Sequence, residues 1–100
     1  MKVLIFLATF YGGTFHGNIT YSGEKFDKNK LTCASNHYKM GTMLEVTNIL
    51  NGKKVVVKVN DKGSFEGKKI DLSESAFKRI ADLKLGIIKV NVKQWKSKNK

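Results

Sequence analysis

The run Val55-Val56-Val57-Lys58-Val59, ending in Asn60-Asp61-Lys62-Gly63, constrains the fold more than any other stretch of the chain. Valine at four of five positions restricts side-chain rotation and favours a pleated, buried strand over a helix. Asn-Asp-Lys-Gly is turn chemistry, so the strand stops there and a carboxylate is delivered to the rim of whatever sheet the valines build. A second apolar approach, Ile70-Asp71-Leu72, brings another aspartate to a position just before Ser73. Two acids at the ends of two elements can share one cleft.

The flanking segments supply the rest of a sheet. Met43, Glu45 and Thr47 alternate with Leu44, Val46 and Asn48, the period of a half-buried strand. Asn51-Gly52 then predicts a hairpin, with Lys54 to Asn60 returning. Val3 to Tyr11 reads as a first strand ended by Gly12-Gly13, Leu31 to Ala34 as a short one, and Ile87 to Val92 as the last. Thr14 to Lys30 reads as a long ordered loop pinned by Phe15, Tyr21 and Phe26. Ser73 as N-cap, Glu74 in the first turn and an apolar face of Ala76, Phe77, Ile80 and Ala81 predict a helix over about residues 73–83. Beyond Lys93 the basic tail around Trp95 is expected to fray. The 100 residues fit one domain, 1–100, with one core.

Eighteen lysines against one arginine, Arg79, leave a formal net charge of +11, which favours polyanionic partners. Phosphate and base-edge readers favour the arginine fork, and the basic-aromatic interleaving of a single-strand binder is missing, so no specific nucleic acid is expected. One cysteine, Cys33, excludes an internal disulfide and reads as a small buried residue; with two histidines it offers no ligand spacing, so neither metal nor cofactor is expected. Met1 to Ala8 has the charge-then-apolar order of a secretory signal but is too short to span a bilayer, and it reads better as strand. No transmembrane segment is expected.

Val-Asn-Asp-Lys-Gly-Ser-Phe at 59–65 and Ile-Asp-Leu-Ser at 70–73 resemble signatures of the rare lipoprotein A (RlpA) family. Phe10-Tyr11-Gly12, Ser22-Gly23-Glu24-Lys25-Phe26-Asp27, Leu31-Thr32-Cys33-Ala34, Gly41-Thr42, Val46-Thr47-Asn48 and Asn51-Gly52 follow in the family's order, over residues 7 to 92. The resemblance implies a mainly β fold, a six-stranded double-psi β-barrel with one short helix, related to expansins and barwin-like domains. It implies a lytic transglycosylase acting on the bond between N-acetylmuramic acid and N-acetylglucosamine.

On that resemblance Asp61 is the candidate general acid/base, supported by Asp71. A family histidine falls at Ser35, a departure for which His37, two residues on along an extended strand, could substitute. Candidate sugar contacts are Tyr11, Phe15, His16, Tyr38, Asn60 and Phe65, with Tyr21 another exposed ring. Read from the residues alone, Asp61 could equally hold a tight turn, Asp71 could accept N–H bonds from the helix start, and His16 could pack its loop. The implied partner is peptidoglycan or another cell-wall polysaccharide, met by a monomer that is exported, with its export signal absent from these residues. The alternative is an expansin-like module that binds or loosens the wall without cutting it.

Overall fold

The computed structural model describes residues 4–12, 16–63, 65 and 67–96. Six strands, β1 (Leu4–Tyr11), β2 (Thr32–Ser35), β3 (Met43–Asn48), β4 (Lys54–Asp61), β5 (Lys69–Ser73) and β6 (Ile88–Gln94), and one helix, α1 (Glu74–Ile80), carry the chain. The strands close in the order β1-β5-β2-β4-β3-β6, so each has two hydrogen-bonded neighbours. β1 pairs with β5, and β2 with β4, in parallel; the other four pairings are antiparallel. This is the closed six-stranded double-psi β-barrel with one short helix that the family resemblance implies.

Alternation sets what lies inside. In β3, Leu44, Val46 and Asn48 are buried between half-buried neighbours; in β4 Val57 and Val55 pair with Leu44 and Val46 across the ladder, and Val59 is buried on the same strand. Phe6, Ala8, Cys33, Ile70, Leu72, Val90 and Val92 complete the interior, and α1 closes one end with Ala76, Phe77 and Ile80. The β3–β4 hairpin turns at Asn51-Gly52, where Gly52 adopts φ 74°, a conformation costly for any residue with a Cβ.

The helix is shorter than its apolar spacing suggests. Ser73 caps it by accepting from Ala76 N at 3.3 Å, but Ala81 is already extended and only a single 3-10 turn, Leu83–Leu85, follows. The reason lies in the hairpin. The Asn48 and Asn51 side-chain amides donate to the Ile80 carbonyl at 2.8 and 3.0 Å, satisfying a group that a further helical turn would otherwise have used. β6, by contrast, runs past Lys93 to Gln94, because it pairs with β1 on one edge and β3 on the other, and Trp95 N still donates to Met43 O at 2.8 Å. Fraying does not begin at Lys93.

The loop before β2 is tied down at several points. Ser75 N donates to Lys28 O at 3.1 Å, and the Ser73 hydroxyl donates to Lys30 O at 2.6 Å while accepting from Thr32 N at 3.4 Å. Phe26 is buried and stacks on Tyr11 with ring centroids 4.5 Å apart. Phe15, read as another pin of this loop and as a sugar contact, lies outside the described residues.

Candidate functional site

A single irregularity aims the first acid. In the parallel β2–β4 ladder Cys33 pairs with Val59 but Ala34 pairs with Asp61, so β4 carries one extra residue, Asn60. Strict alternation from Val55, Val57 and Val59 would turn Asp61 into the core. The bulge resets the count, buries Asn60 beside Val59, and puts the Asp61 side chain on the outer face with Ala34. Ala34 pairs on its other side with Asp71, and Asp71 with Thr9. Asp61, Ala34, Asp71 and Thr9 thus form one row across β4, β2, β5 and β1, and the two acids are two interstrand spacings apart, about 10 Å between Cα atoms.

The loops fix the Asp61 end. Its Oδ1 accepts from Tyr21 N at 3.0 Å and Lys62 N at 2.9 Å, so the 20–24 loop is docked on the end of β4; Ser22 N adds a bond to Asn60 O at 3.1 Å. The turn reading of this aspartate is therefore met on one oxygen. Asn36 holds the segment after it: its Nδ2 donates to the Gly63 and Phe65 carbonyls at 2.8 and 3.0 Å, and its Oδ1 accepts from Gly63 N at 3.1 Å. The Phe65 ring lies so close over Gly63 that any Cβ there would collide with it.

The Asp71 end is drier. Thr9 Oγ1 donates to Asp71 Oδ1 at 2.8 Å, and Ser73, not Asp71, caps the helix. Burial raises the Asp71 pKa above the ordinary carboxylate value and the Asp61 charge adds to this, against lowering by the Thr9 bond and Lys69. Tyr11, two residues beyond Thr9 and on the same face, is pushed up by burial, then by Asp61 and Asp71, which places its phenol within the field of both acids. Cys33, wholly buried behind the row, is raised by burial and then by Asp71.

The remaining candidates divide. Ser35 is fully buried and pairs with Ile70, one step off the acid row; its hydroxyl accepts from His37 N at 3.1 Å and Tyr38 N at 3.3 Å. The chain therefore turns after Ser35, correcting the extended course expected through His37. His37 is exposed, with its ring edge-on to Phe6 and Tyr38 at 5.5 and 5.0 Å. Together with Tyr21, Asn36, Tyr38, Met40 and Lys62 it lines an open groove of about 360 Å³ beside Asp61. Lys62 Nζ sits 4.6 Å from the centre of the Tyr21 ring. Asn60 faces another cleft, Phe65 lies under Lys69 Nζ at 5.5 Å, and His16 Nδ1 accepts from Lys28 N at 3.3 Å, binding its own loop. Among the described residues no cluster of histidine, cysteine, aspartate and glutamate could hold a metal ion, and no helix is long and apolar enough to cross a membrane.

Thr9, Asn36 and Glu24 were missed from the sequence. Glu24 accepts from Lys58 Nζ at 2.6 Å and from Asn60 Nδ2 at 3.2 Å, which holds its carboxyl below the ordinary value. Thr9 was legible in principle, since alternation puts it on the face of Tyr11; Asn36 carried no local signal, because its partners are 27 and 29 residues away.

A closed six-stranded barrel with two carboxylates in one row on its wall defines the class: a double-psi β-barrel of the expansin-like kind. The chain belongs to the family described as lytic transglycolase, which matches residues 6–92. It is 41% identical over 87 residues to the probable endolytic peptidoglycan transglycosylase RlpA of Aquifex aeolicus, covering 86% of this chain and 38% of that protein. It is 40% identical over 88 residues to the endolytic peptidoglycan transglycosylase RlpA of Neisseria meningitidis serogroup A, covering 87% and 37%. The chain thus spans less than two fifths of the length of these curated relatives. Among solved structures, a mutant expansin of Clavibacter michiganensis in complex with cellohexaose is similar with a TM-score of 0.77 and 26% identity, over 95% of this chain and 51% of that one.

Proposed function

We propose that this chain is the catalytic barrel of an exported lytic transglycosylase that cuts peptidoglycan glycan strands, with Asp61 as the general acid/base. The observation that carries the reading is the bulge at Asn60, which turns Asp61 out of the core and into register with Asp71. Both N–H bonds to Asp61 fall on Oδ1, so Oδ2 is the oxygen assigned to the sugar. In the reaction it gives a proton to the glycosidic oxygen and takes one from the sugar's own hydroxymethyl group. That oxygen attacks the anomeric carbon and closes an anhydro ring. No external water is consumed, so one positioned acid can serve where a hydrolase needs two.

Asp71, with its raised pKa, supports Asp61 as the drier carboxyl of the pair, and Thr9 orients it. Ser35 acts through the turn that presents His37 and Tyr38 to the groove. Tyr11, Tyr38 and Tyr21 offer ring faces or edges for sugar stacking. The charge of +11 concentrates the domain on an anionic wall.

The test is to incubate the protein with purified wall glycan and look for muropeptides with anhydro ends by mass spectrometry. Release by the native chain and not by Asp61→Asn is the expected result; unchanged glycan in both removes the enzymatic reading. A second reading, binding and loosening without cleavage, is favoured by the two backbone N–H groups already held by Asp61 and by the likeness to a cellohexaose-binding expansin. It predicts wall pull-down that weakens as salt rises, with no anhydro ends.

A further inference from the structure

We propose that one end of the barrel, built by the tip of the β3–β4 hairpin and the turn before β6, is a docking surface for an anionic lipid bilayer, on which the domain lies without spanning it. The inference goes beyond the glycan reading and shares no residue with the site assigned there.

Two loops meet at this end. Ile49 N donates to Lys89 O at 3.2 Å, and the Asn51 amide donates to Ile80 O at 3.0 Å, so the hairpin tip is fixed beside the Leu83–Leu85 turn. Both loops leave large aliphatic side chains in solvent: Ile49 is 43% exposed, Leu50 94%, Leu85 59% and Ile87 50%. One exposed leucine is ordinary, but four such side chains on two adjoining loops make a patch that calls for an occupant.

The surrounding charge says which. Lys53, Lys54, Lys78, Lys84 and Lys89 are exposed on the same segments, and among the described residues only Lys54 has a carboxylate within reach, Glu45 at 4.0 Å. Asp82, the one acid within residues 49–54 and 78–89, is engaged by its own turn, accepting from Lys84 N at 3.0 Å. A second copy would bring the same lysines and a net charge of +11 against them, which opposes self-association. Protein partners are met chiefly by tryptophan, tyrosine and arginine, with lysine depleted and leucine seldom an anchor. Aliphatic tips among long ammonium side chains suit a bilayer instead. Lysine stems lie along apolar surface while their heads reach lipid phosphates, and the leucine and isoleucine chains enter the acyl boundary.

Position fits this mooring. β4 begins at Lys54 beside the tip and ends at Asp61, roughly 20 Å further along the strand. A domain held by the tip keeps Asp61, and the groove lined by Tyr21 and Tyr38, clear of the lipid.

The experiment co-sediments the purified 100-residue chain with vesicles of phosphatidylcholine alone and of phosphatidylcholine mixed with phosphatidylglycerol, beside the double variants Leu50→Ser with Leu85→Ser and Lys53→Gln with Lys84→Gln. The native chain should bind the anionic vesicles and not the neutral ones. Losing two inserting leucines should weaken binding about a hundredfold and losing two ammonium groups roughly twentyfold. Both variants should melt with the native chain, because all four side chains are exposed. A solvent-sensitive fluorophore on Leu50→Cys should shift to the blue on anionic vesicles, and one on Tyr21→Cys, beside Asp61, should not. No binding, equal binding to both vesicles, binding that ignores the leucine pair, or a blue shift at Tyr21 in place of Leu50 would each overturn the proposal. So would a dimer in sedimentation equilibrium that the leucine variant abolishes, which makes a second copy the occupant. Release of anhydro ends from wall glycan is read in a separate assay, so cutting and mooring fail independently.

Discussion

Asp61 and Asp71 stand in register on either side of Ala34, with only a methyl group between them on the barrel wall. One is fixed by loop N–H groups and the other by a threonine hydroxyl from β1, so the two carboxyls sit in different surroundings although they share a row. On the proposed function, that asymmetry is the basis on which the two like acids would divide the proton transfers.

Replacing Asp61 by asparagine keeps an oxygen for the Tyr21 and Lys62 N–H groups but removes the transferable proton. The release of anhydro ends from wall glycan should fall roughly 10²–10⁴-fold, with glycan still bound. Product analysis beside a pull-down with the same glycan separates the two effects.

The raised pKa of Asp71 has a signed consequence for stability. Because the folded chain favours the protonated form, this group's contribution is present below the unfolded carboxylate value, about 4, and is lost as pH rises through the folded value. Asp71→Asn keeps an acceptor for Thr9 and cannot ionise. Thermal melts should therefore show variant and native chain close together in acid, and the variant relatively more stable toward neutrality. The opposite trend would contradict the assigned environment.

Asn36→Ala removes the three bonds that hold the segment after Asp61. These bonds are solvent-exposed, so global stability should drop by only about 1 kcal/mol. Local opening should rise more, and limited proteolysis with sequencing of the cut is the check: cleavage should appear between residues 62 and 69 first.

Ser73→Ala should be far more disruptive. The buried hydroxyl caps α1, receives Thr32 N and donates to Lys30 O, tying the helix, β2 and the long loop at one atom. Losing the cap and orphaning the other two groups costs roughly 2–4 kcal/mol. Denaturant unfolding at an unchanged slope would measure it.

Much of this was legible because it is local. Valines at 55–57 and 59, Asn51-Gly52 and Ser73 with the apolar face behind it each carry a strand, a turn or a cap in adjacent residues. What was hidden depends on pairing between distant segments. The bulge at Asn60 exists only as a mismatch between β2 and β4, and no count along β4 alone reveals it. Asp71 was weighed as an acceptor for the helix start six decades of residues away from its real partner, Thr9. Ser35 was read by its place in a motif, whereas burial decided what its hydroxyl does.

Closure of the sheet carries a practical implication for a domain this cationic. Among the described residues every strand is already flanked on both sides, so a neighbouring copy finds no open rim of backbone to zip onto. Any contact between copies therefore falls to side chains and loops rather than to strand pairing.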